Sequence, residues 1–517
     1  MGKLFEQNYN GKNKNMEKQM QYVVTKNDIV LGLKKLGLRK GDIVLVHSSL
    51  SSLGKVEGGP ETVIQALIEV VGKTGTIMMP YPLGNATIAR VFSSMKGVIR
   101  STHPTHAVSA MGAKADYLTK DHDKMPTACG KGTPFGKLVD LGGYILLIGV
   151  DQDRNTTLHT AEDYADLPYL SEKEFKYVDA DGMEKTIVLK RFPGPHRNFI
   201  GMDRIFLAKK IMRIERIGNA MVRLIDAKKM IKVCLDELKD NPAAFLCENP
   251  NCADCMMQRG KIKEARLKKE SFILSATSSH VVSEPEEMLK ILQGQGIKTI
   301  ELDAVWDRSI TQLAPSELEY LKNLFTMNGF SVAGVSCKEN CELEKCLDIA
   351  GFFGAKYVVL PRFDPSQDIY KQRQQFIESL VPVIEIAKKK NIVLLIENRP
   401  DTVCARSSDC LEILEKVNSP YLKLAFNPAN FAIAREKPFG KVPPKLRRRA
   451  SVVYINDALF TGKPQIPGYG NAEIKELISI LRCWCFSGYF CLKPGTGTGK
   501  EIFNHEANAF WHVLETM

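Results

Sequence analysis

The sequence predicts an α/β protein in two parts, a layered α/β domain followed by a (β/α)8 barrel. Three observations carry that expectation. The chain has 517 residues, too many for one core at roughly 100–200 residues per domain. In the first half, apolar runs bounded by glycine alternate with stretches of helical period, the mark of layered strands and helices. In the second half, eight strand-like runs alternate with helical ones over about 245 residues, the count and length of such a barrel.

Taken in order, residues 1–20 are polar and read as a flexible lead without the apolar core of an export signal. Asp42–His47 (DIVLVH) is a buried strand, and Pro60–Val71 has helical spacing after the Gly58-Gly59 turn. Gly75–Pro80 and Tyr144–Val150 are further strands. Residues 201–240 read as strongly helical and basic, and residues 256–270 as an exposed charged helix or linker. The expected domains are thus 21–258 and 271–517, joined by a linker at 259–270. The barrel strands are expected at Phe272–Ala276, Thr299–Asp303, Ser331–Val335, Tyr357–Leu360, Ile392–Glu397, Leu422–Phe426, Val452–Ile455 and Tyr489–Leu492. Helical stretches such as Pro285–Gln293, Ser316–Met327 and Gln372–Lys389 separate them.

Composition excludes several classes. Hydrophobic residues are 44% and charged residues 25%, which rules out a mostly disordered chain or a collagen-like fibre. No run of 18 apolar residues occurs, so no membrane span is expected. Thirteen scattered cysteines lack a secreted framework, and a cytoplasmic location is expected. The net charge of +12 is uneven. Residues 151–200 carry 10 acids against 7 bases, and residues 201–270 carry 16 bases against 10 acids. An acidic patch attracts a polyamine. Nucleic acid is not expected, because no binding motif or aromatic interleaving accompanies the bases.

In the first half the most chemical stretch is Asn155-Thr-Thr-Leu-His159 with Glu162. Residues three apart share a helix face. Histidine suits proton removal near neutral pH, and a carboxylate orients it. From spacing alone, a helix-start histidine beside a solvated acid is the competing reading. His47-Ser48-Ser49-Leu50 follows a strand, where free backbone N–H groups and two hydroxyls can hold phosphate oxygens. His103-Pro-Thr-His106-Ala-Val-Ser109 offers Thr105, His106, Val108 and Ser109. Helix capping by Ser or Thr is the alternative for both loops.

Collinear motifs then resemble the aminoglycoside 3-N-acetyltransferase family over roughly residues 25–258. They are LRKGDIVLVHSSLSSLGKVEGGPETVIQAL, RSTHPTHAVSAMG, GKGTPFGKL and LLIGVDQDRNTTLHTAEDYADLPY. The resemblance implies an N-acetyltransferase that moves an acetyl group from acetyl-CoA, its cosubstrate, to an amine of a sugar-like acceptor, with antibiotic resistance as the family's association. It implies His159 as general base, with Glu162 preferred behind it over Asp163 or Asp153. It also assigns both loops to the acetyl-CoA cleft. Two departures touch the cleft wall: the segment Pro80–Arg100 is short and lacks a Thr-Pro-Ser element, and Ala107 replaces a serine. An antibiotic acceptor is therefore not assumed.

Cys247, Cys252 and Cys255 have spacing suited to Zn2+, which takes four ligands. Cys129 or Cys234 is the candidate fourth, and three reduced cysteines packing a domain end is the alternative.

In the barrel, active sites lie at the carboxyl ends of strands, which singles out Glu301, Arg362, Glu397, Asn427, Asn456 and Lys493. Residues 271–517 resemble the xylose isomerase-like family through LLIEN (394–398), FNPANF (426–431), VVYINDA (452–458), PGYGNAEIKELISIL (467–481) and GYFCLKP (488–494). That family binds a divalent metal. Glu397 is kept, but Asn427 stands for an Asp, Asn430 for a His, Tyr454 for a His, Tyr469 for a Glu and Lys493 for a Glu. One carboxylate with two amides and an ammonium is a poor cage for a hard cation. The expectation is no divalent metal in the barrel, with Lys493 pairing directly with Glu397.

The leading reading is an acetyl-CoA-dependent N-acetyltransferase acting on an amine of an aminoglycoside or amino sugar, with a binding or structural barrel. One alternative is a bifunctional enzyme whose barrel is an active isomerase or epimerase, for which a metal at Glu397 is the sign. Another is a non-catalytic sugar-sensing scaffold, for which failure to bind acetyl-CoA is the sign. A homo-oligomer is left open.

Overall fold

The four apolar residues Ile43–Val46 can be buried on both faces only in an interior strand. In the computed structural model, which describes residues 23–81, 86–178, 182–194, 196–337, 343–363 and 368–517, they form the strand Ile43–Ser48. The flexible lead expected at 1–20 and residues 82–85 of the short segment lie outside the described residues. The strand sits mid-way in a seven-stranded mixed sheet. In order across the sheet lie Met212–Ile217, Ala220–Asp226, Tyr144–Ile148, Ile43–Ser48, Thr76–Pro80, Val108–Gly112 and Ile99–Arg100. Helices cover it, among them Gly59–Val71, which buries Val63, Ile64, Leu67 and Val70. Lys26–Leu36 starts from a capping box of Thr25 and Asp28 and stops at Gly37, whose φ of 93° favours glycine.

Topology places the loops that matter. Ile43–Ser48 runs parallel to both Tyr144–Ile148 and Thr76–Pro80, so their carboxyl ends emerge on one edge. Val108–Gly112 runs antiparallel to Thr76–Pro80, with Pro80 opposite Val108. Its entering loop, His103–Ala107, therefore reaches that same edge.

Two sequence expectations need correction. Residues 201–240 are not helical throughout. Helices Met202–Ala208 and Ala227–Asp240 flank an antiparallel hairpin, Met212–Ile217 with Ala220–Asp226. Alternating burial of Ala220, Val222 and Leu224 at period two, around the Gly218 turn, outweighs the basic, helix-like composition. Of the two readings of residues 256–270 the helix holds, but it is not exposed throughout. Ala253–Leu267 is one helix, and Gln258 and Gly260 on it are buried.

The chain divides into two units between Cys255 and Met256. The second unit is a closed eight-stranded barrel of Ile273–Thr277, Thr299–Leu302, Ser331–Ser336, Tyr357–Val359, Val393–Glu397, Leu422–Phe426, Ala450–Ile455 and Tyr489–Leu492. All eight expected strands are present, with ends shifted by a residue or two. Successive strands pair in parallel. Side chains such as Tyr357, Leu395, Val452 and Tyr454 fill the interior, so the barrel is packed rather than open.

Candidate active site

Two cavities open at the shared edge of the first unit. The first, of about 920 Å3, is lined by Val46–Ser51, Tyr81, Thr105, His106 and Arg154, among others. The second, of about 650 Å3, is lined by His159, Asp151, Asp153, Phe192, Arg197 and again Thr105, His106 and Arg154. The cavities therefore adjoin at those three shared residues.

His159 and Glu162 sit one turn apart on the short helix Leu158–Tyr164. Glu162 Oε2 lies 2.5 Å from His159 Nδ1. An ionised carboxylate only accepts, so Nδ1 carries the hydrogen of this bond and Nε2 is the ring nitrogen left for other partners. Glu162 is fully buried. Its other oxygen accepts from Tyr169 Oη and from Arg197 Nε, both at 2.7 Å. Burial pushes the Glu162 carboxyl up, but the hydrogen bond and charge of His159, with Arg197, outweigh it and hold it below its ordinary value. Phe192 and Phe199 flank the imidazole, with ring centroids 4.7 Å and 5.2 Å away.

Of the residues expected in the acetyl-CoA cleft, His47, Ser48, Ser49, Leu50, Thr105 and His106 line the first cavity. Val108 and Ser109 do not. Both are buried in the strand Val108–Gly112, where pairing with Thr76–Pro80 begins and successive side chains point to opposite faces of the sheet. His47 is buried with its Nε2 unpartnered, and burial lowers it to about 3. His103 Nδ1 accepts from the backbone N–H groups of Thr105 and His106, each at 3.2 Å, which fixes the loop. Ser101 Oγ and the carbonyl of Ala128 hold the two nitrogens of buried His122, each at 3.0 Å. The His103 ring stacks on His122 at 4.3 Å. These histidines are neutral: burial lowers His103 to about 3 and His122 to about 4.

The acidic excess of residues 151–200 does not give the second cavity an acidic rim, which is mixed. Asp151 and Asp153 line it together with Arg154, Lys190, Arg191 and Arg197. Lys190 and Arg191 end the hairpin Ser171–Val178/Glu184–Arg191, a wall that the sequence reading did not identify. Arg197 and Tyr169 were missed as well. They act across 35 and 7 residues respectively, separations that carry no motif.

The cysteine cluster gains a fourth member from elsewhere. His196 joins Cys247, Cys252 and Cys255, with all four ligand atoms within 4.8 Å of one another. His196 Nδ1 lies 3.3 Å from Cys255 Sγ and 3.4 Å from Cys252 Sγ. The backbone N–H of Cys247 donates to Cys255 Sγ at 3.3 Å. Neither Cys129 nor Cys234 is in the cluster; both are buried within the unit's core. A cysteine set one ligand short of a tetrahedron was itself the signal, and His196 is one of only nine histidines in the chain.

At the barrel mouth, Lys493 Nζ lies 3.2 Å from Glu397 Oε2, the pairing expected from the sequence. Arg399 binds the same oxygen at 2.7 Å. Asn427 donates to Oε1 at 2.8 Å and Asn430 to the same atom at 3.4 Å. Burial opposes the charge, but Lys493, Arg399 and Asn427 hold the Glu397 carboxyl down at about 2. Lys493 also lies 4.1 Å above the Tyr454 ring. The Tyr454 hydroxyl reaches Glu301 at 3.1 Å, as does Tyr357 at 3.0 Å. Burial raises Glu301 to about 6. Arg362 lines a small recess beside Glu397 and Arg399. Asn456 is buried with its Oδ1 unpartnered and does not join the Glu397 cluster.

The fold and site define a two-unit α/β chain with a hydrogen-bonded histidine–carboxylate pair beside a cavity in the first unit and a (β/α)8 barrel as the second. The aminoglycoside 3-N-acetyltransferase family model matches residues 45–87 and 83–239. The xylose isomerase-like TIM barrel model matches residues 289–509. The chain is 31% identical over 249 residues to aminoglycoside N(3)-acetyltransferase IV of Salmonella sp, covering 44% of this chain and 92% of that relative. It is 36% identical over 234 residues to aminoglycoside N(3)-acetyltransferase III of Acinetobacter baumannii, covering 39% and 81%. A crystal structure of aminoglycoside acetyltransferase AAC(3)-IVa, apoenzyme, matches at 30% identity and a TM-score of 0.42, covering 46% of this chain and 97% of that one. The chain belongs to the aminoglycoside 3-N-acetyltransferase family, and its barrel lies beyond the region those relatives share. Among the described residues no helix is long and apolar enough to cross a membrane.

Proposed function

We propose that the first unit is an acetyl-CoA-dependent N-acetyltransferase acting on an amine of an aminoglycoside or amino-sugar-like acceptor. The observation that carries this is the His159–Glu162 pair facing one of two joined cavities. Acetyl-CoA occupies the cavity of His47, Ser48, Ser49, Leu50, Thr105 and His106, and the amine occupies the other. The acceptor and the thioester carbonyl meet where Thr105, His106 and Arg154 border both. His159 Nε2 takes a proton from the amine as its nitrogen bonds to the acetyl carbon. The carbon–sulfur bond then breaks and the imidazolium returns its proton to the sulfur, so that CoA leaves as the thiol. Glu162 holds the Nδ1 hydrogen and stabilises the imidazolium that forms, as carboxylates behind catalytic histidines do. Membership of the family and names of relatives such as aminoglycoside N(3)-acetyltransferase IV support the reaction.

The Cys247, Cys252, Cys255 and His196 cluster is proposed to hold a structural Zn2+. Four N and S donors with no open position suit that role. A tetrahedron with Zn–S bonds of about 2.3 Å has edges of about 3.8 Å, slightly inside the present spread of 4.8 Å. The barrel is proposed to bind or to support rather than to use a divalent metal, because the Lys493 ammonium stands against Glu397. A cytoplasmic location is in keeping with twelve described cysteines that are all free of disulfides.

The test is release of CoA thiol from acetyl-CoA by the purified chain with a panel of aminoglycosides and amino sugars. Release that needs both an amine and His159 is expected. Release that persists in His159→Ala moves the base elsewhere, and a chain that binds no acetyl-CoA overturns the reading in favour of a scaffold.

A further inference from the structure

The dipeptide His196-Arg197 joins two features that acetyl transfer by itself leaves separate. Its histidine belongs to the Cys3His cluster. Its arginine, 6% exposed, holds the catalytic carboxylate: Arg197 Nε donates to Glu162 Oε1 at 2.7 Å. Arg197 Nη1 donates back to the His196 carbonyl at 2.8 Å. Arg197 Nη2 is buried without a hydrogen-bond partner, and the guanidinium lies 5.2 Å from the Tyr169 ring. Two residues on, Phe199 packs edge-on against the His159 ring at 5.2 Å.

Gly194 and residues 196–198 belong to no strand or helix. Their position must come from anchors. Gly194, with φ of 79°, sits so close to Asp254 that a Cβ would lie 3.0 Å from its carboxylate. That places this stretch against the start of the helix carrying Cys255. A second anchor is the Asn198 N–H, which donates to the Phe245 carbonyl at 2.8 Å, and a third, next to Arg197 itself, is the His196 ring among three sulfurs. Thiols hold an imidazole weakly, whereas four bonds to one zinc ion fix its position and orientation.

We infer that the Cys3His site, loaded with zinc, is the anchor that sets Arg197 and through it Glu162 and His159. This rests on His159 being the general base. Arg197 is then a positioning residue, and the transferase depends on a metal that never touches substrate. The first cavity lies outside this line of contacts, since Gly194, His196, Arg197 and Phe199 all line the second cavity and not the first.

The experiment compares zinc-loaded full-length protein with chelator-stripped protein, each as wild type and as Arg197→Gln. One zinc per chain is expected. Stripping is expected to lower kcat by about tenfold or more, the scale of losses when support around a metal ligand is removed, with the KM for acetyl-CoA unchanged. Arg197→Gln is expected to give a similar fall, and stripping it to add little, because both act on one line of contacts. Restored zinc rescues the wild type only. Independently of activity, the His159 ring-nitrogen shifts in 15N-histidine-labelled protein should change on stripping and change likewise in Arg197→Gln.

Absence of stoichiometric zinc overturns the inference. So do losses that multiply independently, or His159 signals that ignore the metal. Should stripping unfold the chain, Cys252→Ser gives a loosened site on a half-buried ligand, and its His159 signals must move as those of Arg197→Gln do. If no amine releases CoA thiol from the loaded protein, the transferase reading fails, and the His159 signals alone decide the coupling.

Discussion

At the residue scale, Glu162 decides what His159 can do. A carboxylate that also accepts from Tyr169 and Arg197 stays ionised beneath a buried surface and keeps the Nδ1 hydrogen in place. His159→Ala is therefore expected to lower kcat by about 10²–10⁴-fold, while equilibrium binding shows acetyl-CoA still bound. The two barrel carboxylates give pH dependences of opposite sign. Glu397, held at about 2 against an ordinary 4.5, contributes stability that is complete above pH 4.5 and is lost as pH falls toward 2. Glu301, raised to about 6 from an ordinary 4.5, binds its proton more tightly when folded. Its contribution is complete below pH 4.5 and is lost as pH rises through 6. Thermal melts across pH should show Glu301→Gln removing the decline between pH 4.5 and 6. Lys493→Met is expected to cost about 3–5 kcal/mol, as breaking a buried pair does, moderated by Arg399, which remains on Glu397. His159, Glu162 and Lys493 were legible because each sits at a strand end or a helical spacing. Arg197, Arg399 and His196 were not, since nothing local marks a partner that arrives through folding.

At the scale of elements, periodicity and composition competed. The eight barrel strands were legible because each is a short apolar run bounded by polar turns. The hairpin Met212–Asp226 was hidden by its arginines, and only its second strand shows the period of two, with Ala220, Val222 and Leu224 buried. The helix Ala253–Leu267 looked exposed for the same reason: its charges are many, and its contact is made by a glycine. A Cβ on Gly260 would lie 1.9 Å from the carbonyl oxygen of Gln293. Gly260→Ala is thus expected to destabilise the barrel unit by about 1–3 kcal/mol, as overpacking does, read as a lower midpoint in denaturant. An exposed helix would show no change.

At the scale of the whole molecule, each unit has a hydrophobic core of its own. One centres on Val44, Leu67, Ile77 and Leu146, the other on Ile300, Val358, Leu424 and Phe490. Two separable unfolding transitions are expected by calorimetry. Removing zinc should lower the first unit's transition alone, because all four proposed ligands precede residue 256. A single transition displaced as a whole by chelation would contradict this.

The sequence by itself determined the two folds, the barrel's strand count, the His159–Glu162 spacing and the presence of Glu397 and Lys493 at the ends of barrel strands. Hydrophobic period and residue chemistry are local properties, and they survive in one dimension. Only the tertiary structure decided which loops share an edge, that Val108 and Ser109 are buried in a strand, and that the second cavity's rim carries both signs of charge. It alone brought His196 to three cysteines far along the chain and Arg197 to Glu162. Those contacts depend on strand direction and on where residues without secondary structure come to rest, and neither is written in any single stretch of chain.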